Sequence, residues 1–262
     1  MKIIEQELDY IKRNIVEDFV DPLPEKILTK FLTEGSKFIR SSLALLYLKA
    51  LKCEITNDIY RILIAGELIH NASLLHDDVL DEADLRRGES TVAKRFSSKI
   101  SILTGDLLVS DVIGYLLKLN NFEVFNLFNT CIKTMSESEI KQYFYRGKLP
   151  SEKEYLDICK GKTASLFASI LESCALVANI DSVSAKKIGE KYGLIFQIKN
   201  DLDVVSAESD KNNGICTAKD VLGIEKTQDL LDNYKKDLKN ILSEIPNNKY
   251  KEGLEELINN LW

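Results

Sequence analysis

Between Glu67 and Gly88 the chain reads ELIHNASLLHDDVLDEADLRRG, an apolar helical run that ends in a crowd of like charges. No other stretch limits the fold as strongly. On a helix Asp77, Asp81 and Asp84 fall at i, i+4 and i+7, so three carboxylates line one stripe with Asp78 beside them. Carboxylates at that spacing repel one another and weaken a bare helix. A hard divalent cation reverses the sign of the problem, because carboxylate oxygens are its preferred ligands. Mg²⁺ typically takes one or two of them and fills its remaining positions with water and phosphate oxygens. Arg86 and Arg87 follow closely, with guanidinium forks suited to phosphate. The stretch reads as a metal–diphosphate site. A solvated helix end is the ordinary meaning of a charge run, but these acids follow an apolar helix.

The remainder of the chain also favours helices. Only 4 prolines and 12 glycines are spread over 262 residues, too few for a turn-rich β fold. No Pro/Gly/Ser-rich linker interrupts the sequence, so a single domain over residues 1–262 is expected. A net charge of −6 and a pI near 5.2 argue against a nucleic-acid partner. They allow an anionic ligand, since the local charge of a cleft matters more than the total. The cysteines form no CxxC pair and are odd in number, as befits free thiols in a reducing cytoplasm. The first residues lack a signal-like apolar core, and no apolar run is expected to reach the ~18 residues of a membrane span.

In chain order, residues 2–19 show helical spacing, and Asp21-Pro22-Leu23-Pro24 breaks it. GSKFIRSS places Lys37 and Arg40 at i and i+3, where both can reach one anion. The helix leading to the aspartates carries His70 and His76, of which His76 reads as structural. The segment around Gly105-Asp106 is apolar all round, which predicts a buried helix with Asp106 behind the site. ESEIKQYF carries Glu139 and Gln142, and Ser151 with Glu154 forms a capping box. In GKTASLFAS, Lys162 and Thr163 interrupt an apolar helix; a buried ammonium needs a partner, and phosphate is a natural one. FQIKNDLDVV carries Phe196, Gln197, Asn200 and Asp201, and two amphipathic helices follow Asp220.

From about Gly35 to Gly214 these segments resemble, in order, the motifs of the trans-isoprenyl diphosphate synthases, the polyprenyl synthetase family. HDDVLDEADLRRG is similar to the first aspartate-rich motif, and Lys162-Thr163-Ala164 to the KTA motif. Against the GGKRxRP pattern, Gly35, Lys37 and Arg40 match while Ser36, Phe38 and Ser41 depart. Against GExxQ, Ser138 replaces the glycine. Against FQxxDDxxD, Asn200 stands for the first aspartate and Val204 for the last; Asp203 would serve only with a changed helix path.

The resemblance implies an all-α, single-domain antiparallel helix bundle with a central active-site cavity. It implies prenyl transfer from an allylic diphosphate to isopentenyl diphosphate with about three Mg²⁺ ions, the third weakened by Asn200. Asp77, Asp78, Asp81, Asn200 and Asp201 are then the metal residues, and Asp77, Asp78, Asp81, Lys162 and Asp201 the catalytic ones. Arg86, Lys162, Thr163 and Gln197 face the allylic diphosphate; Lys37, Arg40, His70 and Arg87 hold isopentenyl diphosphate. Ala72 and Ser73, where short-chain members place an aromatic floor, imply a product longer than farnesyl, for instance for a quinone side chain. A homodimer through residues 107–117 and a cytoplasmic location are expected. Two alternatives stand beside this reading. One is a class I terpene cyclase, to whose NDxxSxxxE triad Asn200 and Glu208 correspond; the other is a non-catalytic partner subunit.

Overall fold

The computed structural model describes residues 2–17, 29, 31–32, 36–86, 88–203 and 210–259. Gly35, Arg87, Val204, Glu208 and the proline break at 21–24 lie outside the described residues. The described chain is almost wholly helical, as expected of the all-α class. It divides into two compact units, residues 1–46 with 55–122 and residues 47–54 with 123–262.

In the first unit, a 3-10 turn at Lys2–Ile4 leads into α1 (Glu5–Glu17), followed by α2 (Ile39–Ala50), whose residues from Tyr47 on belong to the second unit. Next come α3 (Asn57–Leu80), a hairpin of β1 (Leu85–Arg86) and β2 (Glu89–Ser90), the short α4 (Val92–Arg95) and α5 (Ser98–Leu117). Thr56 caps α3 by accepting the Ile59 N–H. From Ile59 to Leu75 the apolar side chains of α3 are almost all buried. Helix α3 packs chiefly on α5 and also on α1, whose Ile11 and Ile15 point inward one turn apart. Helices α3 and α5 meet at Gly105, where a Cβ would lie 2.3 Å from His76 Nε2 and the ring would have to move. Nearby, the Ser101 hydroxyl donates to the Leu75 carbonyl at 2.9 Å.

Helix α5 departs from expectation. Ile102, Leu103, Ile113 and Leu117 are exposed, so an all-round apolar sequence here leaves one side uncovered. By length and composition α5 is also long and apolar enough to cross a membrane, contrary to the reading that no segment is. Core helices of globular proteins pass the same test.

The second unit contains α6 (Phe122–Phe144, in this unit from Glu123), α7 (Glu152–Cys159), a π-helical turn at Lys160–Ala164, α8 (Ser165–Val177) and α9 (Ser182–Leu202). It ends with α10 (Ala218–Leu222), α11 (Ile224–Ser243) and α12 (Lys249–Asn259). The capping box expected at Ser151 and Glu154 starts α7, and the hydrogen bonds from Ser151 and Tyr145 hold the Glu154 carboxyl down to about 2. Its core is α8 against α9, with the Phe167 ring 5.2 Å from Tyr192 and 5.8 Å from Phe196. The amphipathic α11 and α12 appear where the sequence put them.

Candidate active site

The last turn of α3 concentrates negative charge where the helix macrodipole is already negative. Asp77 and Asp81 are half-buried there, and the Asp81 N–H closes the helix on the Asp77 carbonyl at 2.8 Å. Asp78 is fully buried. The chain then turns sharply, with Glu82 at φ 49°, and the hairpin returns Arg86 to the helix end. Arg86 Nε donates to Asp78 Oδ1 at 2.6 Å, pairing a buried carboxylate with a guanidinium. Thr91 fixes this turn by donating its hydroxyl to the Ala83 carbonyl at 2.7 Å. The three carboxylates do not line one helical stripe. Helix α3 stops at Leu80, and Asp84 lies beyond it, paired with Lys94 at 3.0 Å in the open.

His76 has a structural setting. Its Nε2 lies 3.3 Å from both the Ile102 carbonyl and Asp106 Oδ1, while Asp106 is largely exposed. Among the residues expected from the sequence to hold isopentenyl diphosphate, Lys37 is exposed, His70 half-buried and Arg40 buried. Of the two positions expected to govern chain length, Ala72 is buried in the core and Ser73 half-exposed, its hydroxyl donating to the His70 carbonyl at 2.8 Å.

In the second unit the predicted residues fall into two hydrogen-bonded groups, one around Lys162 and one around Asp201. Lys162 stands in the π turn, a distortion frequent at functional sites. Its ammonium reaches Glu139 at 2.6 Å and Gln142 at 2.7 Å, so the partner the sequence demanded for it is present within the protein. Thr163 donates to Gln197 Oε1 at 2.6 Å, and Gln197 Nε2 donates to Asp201 Oδ1 at 2.7 Å. Asp201 Oδ2 accepts from the Tyr155 hydroxyl at 2.6 Å and the Ala218 N–H at 2.9 Å. Burial pushes the Asp201 carboxyl up, against the opposing pull of Tyr155, Gln197 and Ala218. Burial also pushes the Tyr155 hydroxyl up, which keeps it a donor. Asn200, by contrast, is exposed, and α9 ends at Leu202 with Asp203 turned to extended backbone.

Sequence reasoning missed Tyr155, Ala218 and the π turn. One signal was available for the turn, a glycine inside an apolar helix. Gly161 leaves room for Ser138, whose hydroxyl oxygen would lie 1.9 Å from a Cβ at that position.

Among the described residues no three His, Cys, Asp or Glu side chains are grouped to hold an ion by themselves. Mg²⁺ needs no such cage, since it keeps water and substrate phosphate oxygens in its shell. The hard oxygen donors of Asp77 and Asp81, at one helix end, fit that requirement.

The profile of the polyprenyl synthetase family matches residues 21–257. A prenyl transferase of Cyanophora paradoxa is 34% identical over 245 residues, covering 87% of this chain and 76% of that protein. The chain spans 61%, 64% and 66% of three further proteins named prenyl transferase. The chloroplastic solanesyl diphosphate synthase 1 of Arabidopsis thaliana is 37% identical over 153 residues, 57% of this chain and 38% of that one. In fold, a decaprenyl diphosphate synthase of Rhodobacter capsulatus superposes with a TM-score of 0.91, 20% identity and coverage of 99% and 96% of the two chains. With a family profile spanning nearly the whole sequence and a relative of this identity, the chain belongs to the polyprenyl synthetase family of trans-prenyltransferases.

Proposed function

We propose that this protein condenses isopentenyl diphosphate with an allylic diphosphate, head to tail, to give a trans-polyprenyl diphosphate longer than farnesyl. One observation carries the reading: the half-buried Asp77 and Asp81 stand at a helix end beside the buried Asp78, which is paired with the half-buried Arg86. Asp77 and Asp81 are the metal ligands of the first unit and Asn200 a weaker one in the second. Asp78 and Asp201, both enclosed, orient their neighbours. Bound Mg²⁺, about three ions in all, supplies Lewis-acid stabilisation of the departing diphosphate. Arg86, Lys162, Thr163 and Gln197 bind the allylic diphosphate, for which Lys162 exchanges part of its contact with Glu139. Lys37, Arg40, His70 and Arg87 hold isopentenyl diphosphate so that its double bond meets the allylic carbon. No protein nucleophile is required, since the diphosphate leaves with its electron pair and can accept the proton lost when the new double bond forms. The family profile spans both units, which supports treating them as one catalytic domain.

A second copy of the chain would cover the exposed Leu103, Leu107, Ile113 and Leu117 of α5, giving a homodimer. The five free cysteines support a reducing cytoplasm.

Product length rests on Ala72 and Ser73, which place no ring below the aspartates; the solanesyl synthase relative agrees with this. A growing tail gains about 0.8 kcal/mol per buried CH₂, which favours elongation until something blocks it. Purified protein is to be incubated with Mg²⁺, isopentenyl diphosphate and geranyl diphosphate, and the dephosphorylated products sized by chromatography. Products beyond farnesyl are expected, and Ser73→Phe shortens them. Ala72→Phe, at a core position, instead costs stability, about 1–3 kcal/mol. Wild-type product that stops at farnesyl overturns the chain-length reading, and no condensation at all overturns the function.

A further inference from the structure

Glu67 is a buried carboxylate with no place in the diphosphate chemistry above. It lies on α3, 2% exposed, one turn before His70. Its Oε1 accepts the Ser41 backbone N–H at 3.2 Å and the Ser41 hydroxyl at 2.7 Å. Asn71, itself buried, donates to the Glu67 carbonyl at 2.7 Å.

Ser41 belongs to the first turn of α2, where a helix leaves its N–H groups without intrahelical partners. The usual remedy is a Ser, Thr, Asp or Asn just before the helix. Here that place is held by Phe38, whose carbonyl accepts the Ser42 N–H at 2.8 Å. Phe38 offers no polar side chain and sits at φ 46°, a left-handed backbone that a bulky residue adopts only under constraint. Glu67 therefore supplies from another helix the acceptor that the local sequence lacks, and its charge suits a helix N-terminus. In the GGKRxRP pattern the Ser41 position is proline, which has no N–H. This chain presents two donors there, and both go to Glu67.

We propose that Glu67 is a positioning residue for the homoallylic diphosphate. It ties the first turn of α2, with Arg40 inside it and Lys37 just before it, to the helix that carries His70. The inference rests on the assignment of Lys37, Arg40 and His70 to isopentenyl diphosphate made above.

Calorimetric titration with isopentenyl diphosphate alone, together with KM for each substrate, separates a positioning role from a merely structural one. In Glu67→Ala, affinity for isopentenyl diphosphate falls about tenfold while KM for the allylic diphosphate stays within about twofold. Glu67→Gln keeps an acceptor and restores affinity to within about threefold of wild type. Ser41→Ala retains the N–H and gives a smaller loss in the same direction, a reading that survives if Glu67→Ala fails to fold. Equal weakening towards both substrates, or unchanged isopentenyl diphosphate affinity in folded Glu67→Ala or Ser41→Ala, overturns the positioning role alone. A wild type that does not bind isopentenyl diphosphate overturns the functional assignment and this inference with it.

Discussion

The two aspartate segments each bury the second residue of their leading pair, Asp78 after Asp77 and Asp201 after Asn200, and they stabilise it differently. Asp78 is met by a full positive charge, Arg86, which the hairpin brings back from eight residues downstream. Asp201 is met by neutral donors from Tyr155, Gln197 and the Ala218 N–H, two of them distant in sequence. A buried carboxylate without partners is costly, so both arrangements answer the same demand. The charged solution leaves Asp77 and Asp81 half-buried at the helix end. The neutral one accompanies an eroded motif, with Asn200 exposed and α9 ending at Leu202. The first segment is thus expected to carry most of the metal chemistry, and the second mainly to hold its helices in register.

That contrast can be broken most directly at Asp77. Asp77→Ala is expected to lower turnover by about two to three orders of magnitude, the scale of losing a principal electrostatic stabiliser. Near-wild-type turnover would remove the first segment from the chemistry. The next largest effect tests the two partnerships through chemical denaturation. Arg86→Met removes the charged side chain seen against a buried carboxylate and is expected to cost about 3 kcal/mol. Tyr155→Phe leaves Asp201 with two donors and is expected to cost only about 1 kcal/mol. Equal losses would show that charge is not what distinguishes the segments. The smallest effect belongs to Asn200→Asp, which restores a charged ligand and lowers the Mg²⁺ concentration at half-maximal rate by about threefold. An unchanged or higher requirement means that Asn200 does not meet the metal.

The same contrast explains what was readable in the chain. Asp77, Asp78, Asp81 and Arg86 lie within one short stretch, so spacing alone brought them together. Thr163, Gln197 and Asp201 were recognised as motif residues, but their connection into one network was not. Tyr155 and Asp201 are separated by 46 positions, and no periodicity links them. The role of Glu67 is likewise not legible in the sequence, because its partner Ser41 lies 26 positions away.

By itself the sequence determined whatever depends on neighbours within about a turn. Few prolines and glycines, period-3.6 apolar faces and the Ser151–Glu154 box were enough for the all-α class, for α11 and α12, and for the start of α7. Tertiary structure alone decided where α3 ends, and so moved Asp84 off the carboxylate stripe into a pair with Lys94. It also decided that α5 keeps an uncovered apolar side, that Gly161 yields to Ser138, and that Asp201 is enclosed. The physical reason is range. Helix propensity and capping act through the backbone over a few residues, whereas burial and hydrogen-bond satisfaction depend on which distant segment arrives alongside.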